Sequence, residues 1–390
     1  MKKFIYTLLV LGGLAALGFG AYSLVRYLSP SAQVPAGAVP PISQAGQPGT
    51  ATSSTIFLVF PDPIFDYAFR EGNTYVAIRP DGTLVETDIG SDLKRDLTEN
   101  AVDGMAKAAA ARDATRILVS FRNGSAARMQ FSVYDMIGNA WLPLPAGIVS
   151  AAWSPADSDR IAYIKETDGS SVIGILTLKT ATSTDAGAGA LASFADASVM
   201  TLSAADLVLD WVNADNLFLS SKPSAAIPGE LWMLSLAKKT LRRIADGPGL
   251  AAQWSADGDY GIIFSSDADA LMLTDNFAQP LLALPFLTIP DKCAIRSRRL
   301  YCAVPRQSIA DANLPDAYYQ RELYFRDDIY GIDLRTGKST LLLDGAQFPV
   351  DAVHLRQNGD YLFLKNRLDE KMYAVLLPSA FAPEESEPTQ

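Results

Sequence analysis

One unit recurs along this chain with a period of about 42 residues, and that period limits the fold more than any other feature. Its clearest copy opens with "AAWSPADSDRIAYI", Ala151 to Ile164: an apolar run, a polar turn, a second apolar run. The stretches "LDWVNADNLFLSS", "AAQWSADGDYGIIFSS", "KCAIRSRRLYCAV" and "AVHLRQNGDYLFLK" repeat the pattern. They place Trp153, Trp211, Trp254, Ile295 and His354 in equivalent positions, with successive spacings of 58, 43, 41 and 59. Two earlier anchors, Ala110 in "AAAARDATRILVSF" and Phe69 in "YAFREGNTYVAI", continue the series toward the N-terminus. The alanine run of "NAVDGMAKAAAARDATRILVSF" is compatible with a helix, whereas the repeat claims the same segment for a strand.

A second strand–turn–strand element lies between the anchors, as in "FSVYDMIGNAWLPLPAG", "ELWMLSLAKKTLRRIADG" and "IYGIDLRTGKSTLLLDG". A unit is therefore two hairpins, or four short strands, separated by turn signals such as "SADGD" and "RQNGD". That is the pattern of a propeller blade. One small sheet cannot cover both its faces; a closed ring of sheets can, and it leaves only short edges. The expected fold is all-β: a β-propeller of seven four-stranded blades, with six as the alternative because the first unit is poorly patterned. The last unit, ending "KMYAVLLPSAF", lacks a fourth strand, and "STIFLVF", Ser54 to Phe60, is placed to supply it.

The units "WSPADSDRIAY" and "WSADGDYGIIF" resemble the W-S-P-D-G-x-x-I-A-Y signature of TolB-type, WD-like propeller repeats, over most of residues 65–375. The resemblance implies six or seven blades used mainly for protein contacts. The chain departs from the signature where Ala156 replaces its Asp and where "WVNADN" lacks its Pro and Gly.

Residues 1–28 hold Lys2 and Lys3 followed by an uncharged apolar run from Phe4 to Val25. At about 1.5 Å per residue that run spans roughly 33 Å, enough to cross a bilayer core. It reads as an uncleaved transmembrane signal-anchor with its N-terminus cytoplasmic and the rest outside. The alternative is cleavage, with "AGA" at 36–38 as the site, and secretion. Residues 29–54 are rich in Pro, Ala and Ser and read as a disordered tether, residues 55–381 as the propeller, and residues 382–390 as a disordered acidic tail.

A net charge of −10 argues against nucleic acid as a partner, because a phosphate-binding surface needs clustered cations. The single histidine, His354, excludes centres built on several histidines, and its anchor position favours a structural role. "DLRTGKST" lacks the P-loop spacing, no G-x-S-x-G elbow occurs, and the turn aspartates Asp157, Asp159, Asp257 and Asp259 fit backbone capping. No catalytic constellation, cofactor or metal site is expected. The anchor tryptophans are expected to pack between blades.

Cys293 and Cys302 flank a turn centred between Ser297 and Arg298. In a two-residue hairpin they fall opposite each other at a non-hydrogen-bonded pair, where Cα atoms approach to about 4.5 Å. A cross-strand disulfide is the expectation, with two free buried thiols as the alternative.

Two segments break the period: residues 182–206, after a third strand, and residues 305–328, between a second and a third strand. If the first is a blade-to-blade loop, both enlarge the same rim. The second contains Tyr318, Tyr319, Arg321, Tyr324, Phe325 and Arg326, residue types that dominate binding hot spots. These six are the candidate partner-binding loop; the alternative is that the aromatics pack the loop onto its blade. The function expected is a membrane-anchored extracytoplasmic propeller that binds another protein of the cell envelope. The alternatives are a propeller with a ligand or catalytic site in its central channel, and a purely structural envelope component.

Overall fold

The computed structural model describes residues 56–381, except 99–100, 103, 123–128, 168, 181–190, 269 and 310–311. The expected anchor, tether and acidic tail lie outside the described residues. No helix among the described residues is long and apolar enough to cross a membrane.

Seven antiparallel sheets of four strands follow one another along the chain. Blade 3 shows the pattern: Ile148–Trp153, Arg160–Thr167, Ser170–Thr180 and Leu191–Leu202, each paired to the next. Second strands are buried almost throughout, as in Arg116–Phe121 and Tyr361–Asn366, because neighbouring blades cover both of their faces. This is why "RILVSF" and "YLFLKN" carry near-continuous apolar runs instead of strict alternation. Outer strands such as Lys94–Asp96 face solvent and are polar. The alanine run is a strand, Met105–Ala110, paired with Arg116–Phe121. Pairing to a buried neighbour overrides alanine's helical preference there.

The ring is closed by both ends of the propeller. Ile56–Phe60 pairs antiparallel with Met372–Leu376 and forms the outermost strand of blade 7, whose other strands are Ala352–Asn358 and Tyr361–Asn366. The count is seven blades, not six.

The anchor tryptophans sit between blades. The Trp153 indole N–H donates to the carbonyl of Ala109 in blade 2 at 2.9 Å, and its ring joins Leu118 and Val133 of that blade. Trp211 of blade 4 packs against Ile164 and Ile173 of blade 3. Trp254 of blade 5 meets Phe218 of blade 4 with ring centroids 4.3 Å apart. Its ring also lies against Gly261, where a Cβ would come within 2.4 Å of the indole. Only glycine leaves that face of the second strand open to the ring.

First strands line the axis: Ile148–Trp153 lies against Leu207–Asn213, Cys293–Arg296 against Ala352–Asn358, and Asp66–Phe69 against Met105–Ala110. Cys293 and Cys302 are directly paired across the first two strands of blade 6, with Cα atoms 4.1 Å apart and sulfurs bonded at 2.06 Å.

The two period-breaking segments differ from the shared-rim arrangement. The excess at 182–206 is not a blade-to-blade loop. It contains the long fourth strand Leu191–Leu202, paired with Ser170–Thr180 from Ser171↔Leu202 to Thr180↔Leu191. The extra residues lengthen the outer hairpin of blade 3, whose described ladder reaches Thr180↔Leu191. The insertion at 305–328 joins second and third strands and lies on the rim of the blade-to-blade connections. The run "LASFADASVMTL" pairs along its neighbour because the ladder satisfies its backbone groups without outside help.

Candidate functional site

The 305–328 insertion leaves the end of Arg299–Pro305 and returns at Asp327–Asp333, the second and third strands of blade 6. It is irregular apart from a helical turn at Asp316–Tyr319. Such a segment cannot satisfy its own backbone and needs partners supplied from elsewhere. A buried charge network supplies them. The Lys292 ammonium is fully buried and donates to Asp327 at 2.6 Å and to Asp351 at 2.5 Å. Asp351 also accepts from Arg367 at 3.1 Å, from the Phe325 N–H at 3.2 Å and from the Tyr318 hydroxyl at 3.4 Å. Asp327 accepts the Ala352 N–H at 2.8 Å. These residues come from the blade 5–6 connection, the end of the insertion, the blade 6–7 connection and blade 7. Burial pushes the Asp327 carboxyl up to about 6, against the pull of Lys292.

The aromatic cluster divides into two groups. Tyr318 and Phe325 are buried and stacked, with ring centroids 5.3 Å apart. Lys292 lies 5.2 Å and 5.1 Å from those two rings, and the Arg367 guanidinium covers Tyr318 at 3.8 Å. These two aromatics hold the loop to its blade. Tyr319, Arg321, Tyr324 and Arg326 are exposed. Arg321 pairs with Glu370 at 3.0 Å, and Arg367 also faces the Tyr324 ring at 4.9 Å. Lys292, Asp327, Asp351 and Arg367 carry the site's architecture, yet their spacing in the sequence matches no motif.

The insertion reaches beyond blades 6 and 7. Asp316 accepts the N–H of Ala225, in the second loop of blade 4, at 2.5 Å. Pro315 packs on Gly249, where φ is +62° and a Cβ would meet Pro315 at 3.0 Å. A loop that starts on blade 6 and touches blades 4 and 7 crosses the axis.

Beneath it lies the axial channel. The Asp291 carboxylate, in the blade 5–6 connection, feels the charges of His354 of blade 7, Lys107 of blade 2 and Asp210 of blade 4, so it faces the inside of the ring. Its surface is accessible, yet its enclosure among the blades pushes its carboxyl up. Enclosure and the neighbouring Asp291 carboxylate push the Tyr319 hydroxyl well above the usual phenol range.

His354 stands at a break in strand register between Val353 and Arg356, with φ of +52°. Its Nδ1 lies 2.8 Å from Asp66 Oδ1, and its carbonyl accepts the Tyr67 hydroxyl. Arg356 holds the other Asp66 oxygen at 3.2 Å and covers the Tyr67 ring at 4.8 Å. Burial alone would raise the Asp66 carboxyl, but Arg356 and His354 outweigh it and hold it well below the usual carboxylate range. The side chain of His354 is 37% exposed, so it joins a structural ion pair and also borders the channel.

At the other mouth, all seven blades contribute to a cavity of about 920 Å³. Alanines at 108–111 and 156 leave it wide, and Arg112, Gln253 and Asp257 are among its polar groups. Among the described residues, no group of three or more His, Cys, Asp or Glu side chains is placed to hold a metal.

No family model and no curated protein matches the sequence. Solved structures do. An oligogalacturonate lyase in complex with manganese matches with a TM-score of 0.53 and 10% identity, over 87% of this chain and 98% of the lyase. The β-propeller domain of Cps50 (Swd1) from Myceliophteria thermophila gives 0.53 and 9%, over 83% of this chain and all of the domain. TolB from Acinetobacter baumannii is also among the matches, at a TM-score of 0.39 and 12% identity, over 79% of this chain and 78% of TolB. At such identities the first two likenesses are of fold alone, and they agree with the architecture above: the chain is a β-propeller of seven four-stranded blades.

Proposed function

We propose that this chain is a membrane-held propeller that binds another protein of the cell envelope through the rim crossed by the 305–328 insertion. The observation that carries this reading is the insertion's support. A buried Lys292–Asp327–Asp351–Arg367 network fixes a segment that the repeat does not require, and the exposed side of that segment carries Tyr324, Arg321 and Arg326. Tyr324 is 43% exposed, Leu368 of blade 7 is 48% exposed and Ile227 of blade 4 is 66% exposed, all on loops of this rim. A rigid rim with aromatic, aliphatic and arginine groups loses little entropy on docking. Attachment to the membrane rests on the apolar run from Phe4 to Val25. Replacing Tyr324 and Arg326 by Ala is expected to remove a partner from native membrane preparations while the melting temperature stays unchanged. An identical set of co-purifying proteins would refute this reading.

A second reading has its own support: Tyr319 bonds to Asp291, and His354, Lys107 and Asp210 of three different blades all act on its charge, a set of polar groups suited to a small polar ligand. The manganese of the lyase is not carried over, since this chain has one histidine and no placed cluster of metal donors among the described residues. Asp291→Asn should leave the unaltered stability in place and abolish ligand-induced stabilisation in a metabolite screen. No metabolite shifting the melting temperature of the unaltered chain would count against this reading.

A further inference from the structure

Each blade is an antiparallel meander, so its turns alternate between the two rims. The turns from third to fourth strands therefore lie on the rim away from the 305–328 insertion. Turn tips are ordinarily polar. Three of these carry apolar side chains into solvent: Leu93 of blade 1 is 83% exposed, Ile137 of blade 2 is 57% and Phe277 of blade 5 is 47%. In a ring of seven, blades 1 and 2 lie across the axis from blade 5. The three tips thus span the rim and define a plane across it.

Between the apolar tips this rim is basic. Lys238 and Lys239 occupy the corresponding turn of blade 4 and Lys338 that of blade 6, with Arg298 on the first turn of the same blade. All four are exposed, and no carboxylate pairs with their side chains among the described residues. The aspartates of this rim sit in first turns nearer the axis and cap their own backbone. Asp157 accepts the N–H of Asp159 at 2.9 Å, and Asp257 that of Asp259 at 3.2 Å. On the insertion rim, by contrast, Asp81, Asp267 and Glu322 are exposed. The chain also enters the propeller on the rim of the apolar tips: Ile56 pairs with Val375, at the end of the third strand of blade 7.

We propose that this rim rests on a lipid surface, with Leu93, Ile137 and Phe277 in the headgroup boundary and Lys238, Lys239 and Lys338 against anionic headgroups. The inference rests on the membrane-held reading above and adds an orientation to it: the insertion rim faces away from the bilayer, toward an incoming partner. A chain with a net charge of −10 is repelled by anionic lipid in most orientations. Apolar tips interleaved with unpaired cations are the pattern that an interface of headgroups and acyl chains favours. Three side chains reach only a shallow depth, so the contact orients the propeller without anchoring it.

The test places one fluorophore on the 390-residue chain through an added cysteine, since Cys293 and Cys302 are bonded to each other and buried. Ile137→Cys and Phe277→Cys report on the turn rim, and Ile227→Cys and Tyr324→Cys on the insertion rim. All four positions are exposed, so the fold is not at risk. The chain is reconstituted in phosphatidylcholine–phosphatidylglycerol vesicles that contain a lipid with a spin-label quencher in its acyl chain. Fluorescence should fall about twofold at 137 and 277, as for side chains seated in the interface, and stay unchanged at 227 and 324. Lys238→Glu with Lys239→Glu, or about 1 M salt, should weaken the quenching at 137. Quenching that is equal in the charge-reversed chain overturns the role given to the lysines. A chain that fails to float with the vesicles refutes the membrane-held reading and the proposal with it. A chain that floats but is quenched no more at 137 and 277 than at 324 overturns the proposal alone.

Discussion

Blades 3 and 6 both exceed the repeat, and they use the extra residues in opposite ways. Blade 3 extends a hairpin, in which the backbone of Leu191–Leu202 is paired along Ser170–Thr180 and needs nothing from its surroundings. Blade 6 builds an irregular crossing loop whose return is fixed by a lysine and two aspartates removed from water. An insertion that can pair with its own sheet adds length to a blade. One that cannot must take its support from other blades, and it then presents a fixed surface over the axis. Buried charges are an expensive way to hold a loop, which is why the proposed binding surface is on the blade 6 insertion and not on the blade 3 hairpin.

This contrast can be broken most forcefully at Lys292. Lys292→Met leaves Asp327 and Asp351 buried without their common cation, and it should cost about 3–5 kcal/mol in urea unfolding. A loss comparable to a surface substitution would mean that the network does not hold the loop. In blade 3, Trp153→Phe removes one hydrogen bond to Ala109 and part of a ring, for about 1–2 kcal/mol.

The next effect sharpens the comparison through pH. The Asp327 carboxyl is raised from 3.8 to about 6 in the folded chain, so folding favours its protonated form. Its contribution is fully present below about pH 4 and is lost as pH rises through about 6. Asp66 is shifted the other way: its contribution is present above about pH 4 and is lost as pH falls below that. Unfolding measured from pH 3 to 8 should therefore lose the decline between about pH 4 and 6 in Asp327→Asn. It should lose the acid decline in Asp66→Asn. Identical profiles for the two variants would contradict these assignments. The smallest stability effect belongs to Tyr324→Ala, expected within about 0.5 kcal/mol because the ring is half in solvent. The same change should weaken partner capture the most.

The ring was readable in the sequence because packing imposes it locally. Each blade needs an apolar second strand, and each interface needs a bulky anchor, so Trp153, Trp211 and Trp254 recur in step. The missing fourth strand of the last unit pointed to Ile56–Phe60 because a blade without an outer strand leaves an open edge. The site was only half readable. The position of the 305–328 insertion follows from the period, but the division of its aromatics between core and surface does not. Tyr318 and Tyr319 are adjacent and go to different environments because a helical turn rotates them apart. Lys292, Asp327, Asp351 and Arg367 meet only because the ring closes, and nothing in their local sequence marks them as partners. The same holds for Asp66 and His354, which lie 288 residues apart and are joined by closure. The lengthened hairpin of blade 3 is not legible in the sequence because its fourth strand, "LASFADASVMTL", contains small and polar residues typical of a loop.

Site-specific photo-cross-linking in native membranes tests the account most directly. A photoreactive residue replaces Tyr324 on the insertion rim in one version and Ile137, exposed on a blade 2 turn of the opposite rim, in another. The account predicts a discrete envelope protein captured from position 324, not from position 137, and lost when Lys292→Met releases the loop. Equal capture from both positions, or capture from 137 alone, would contradict it.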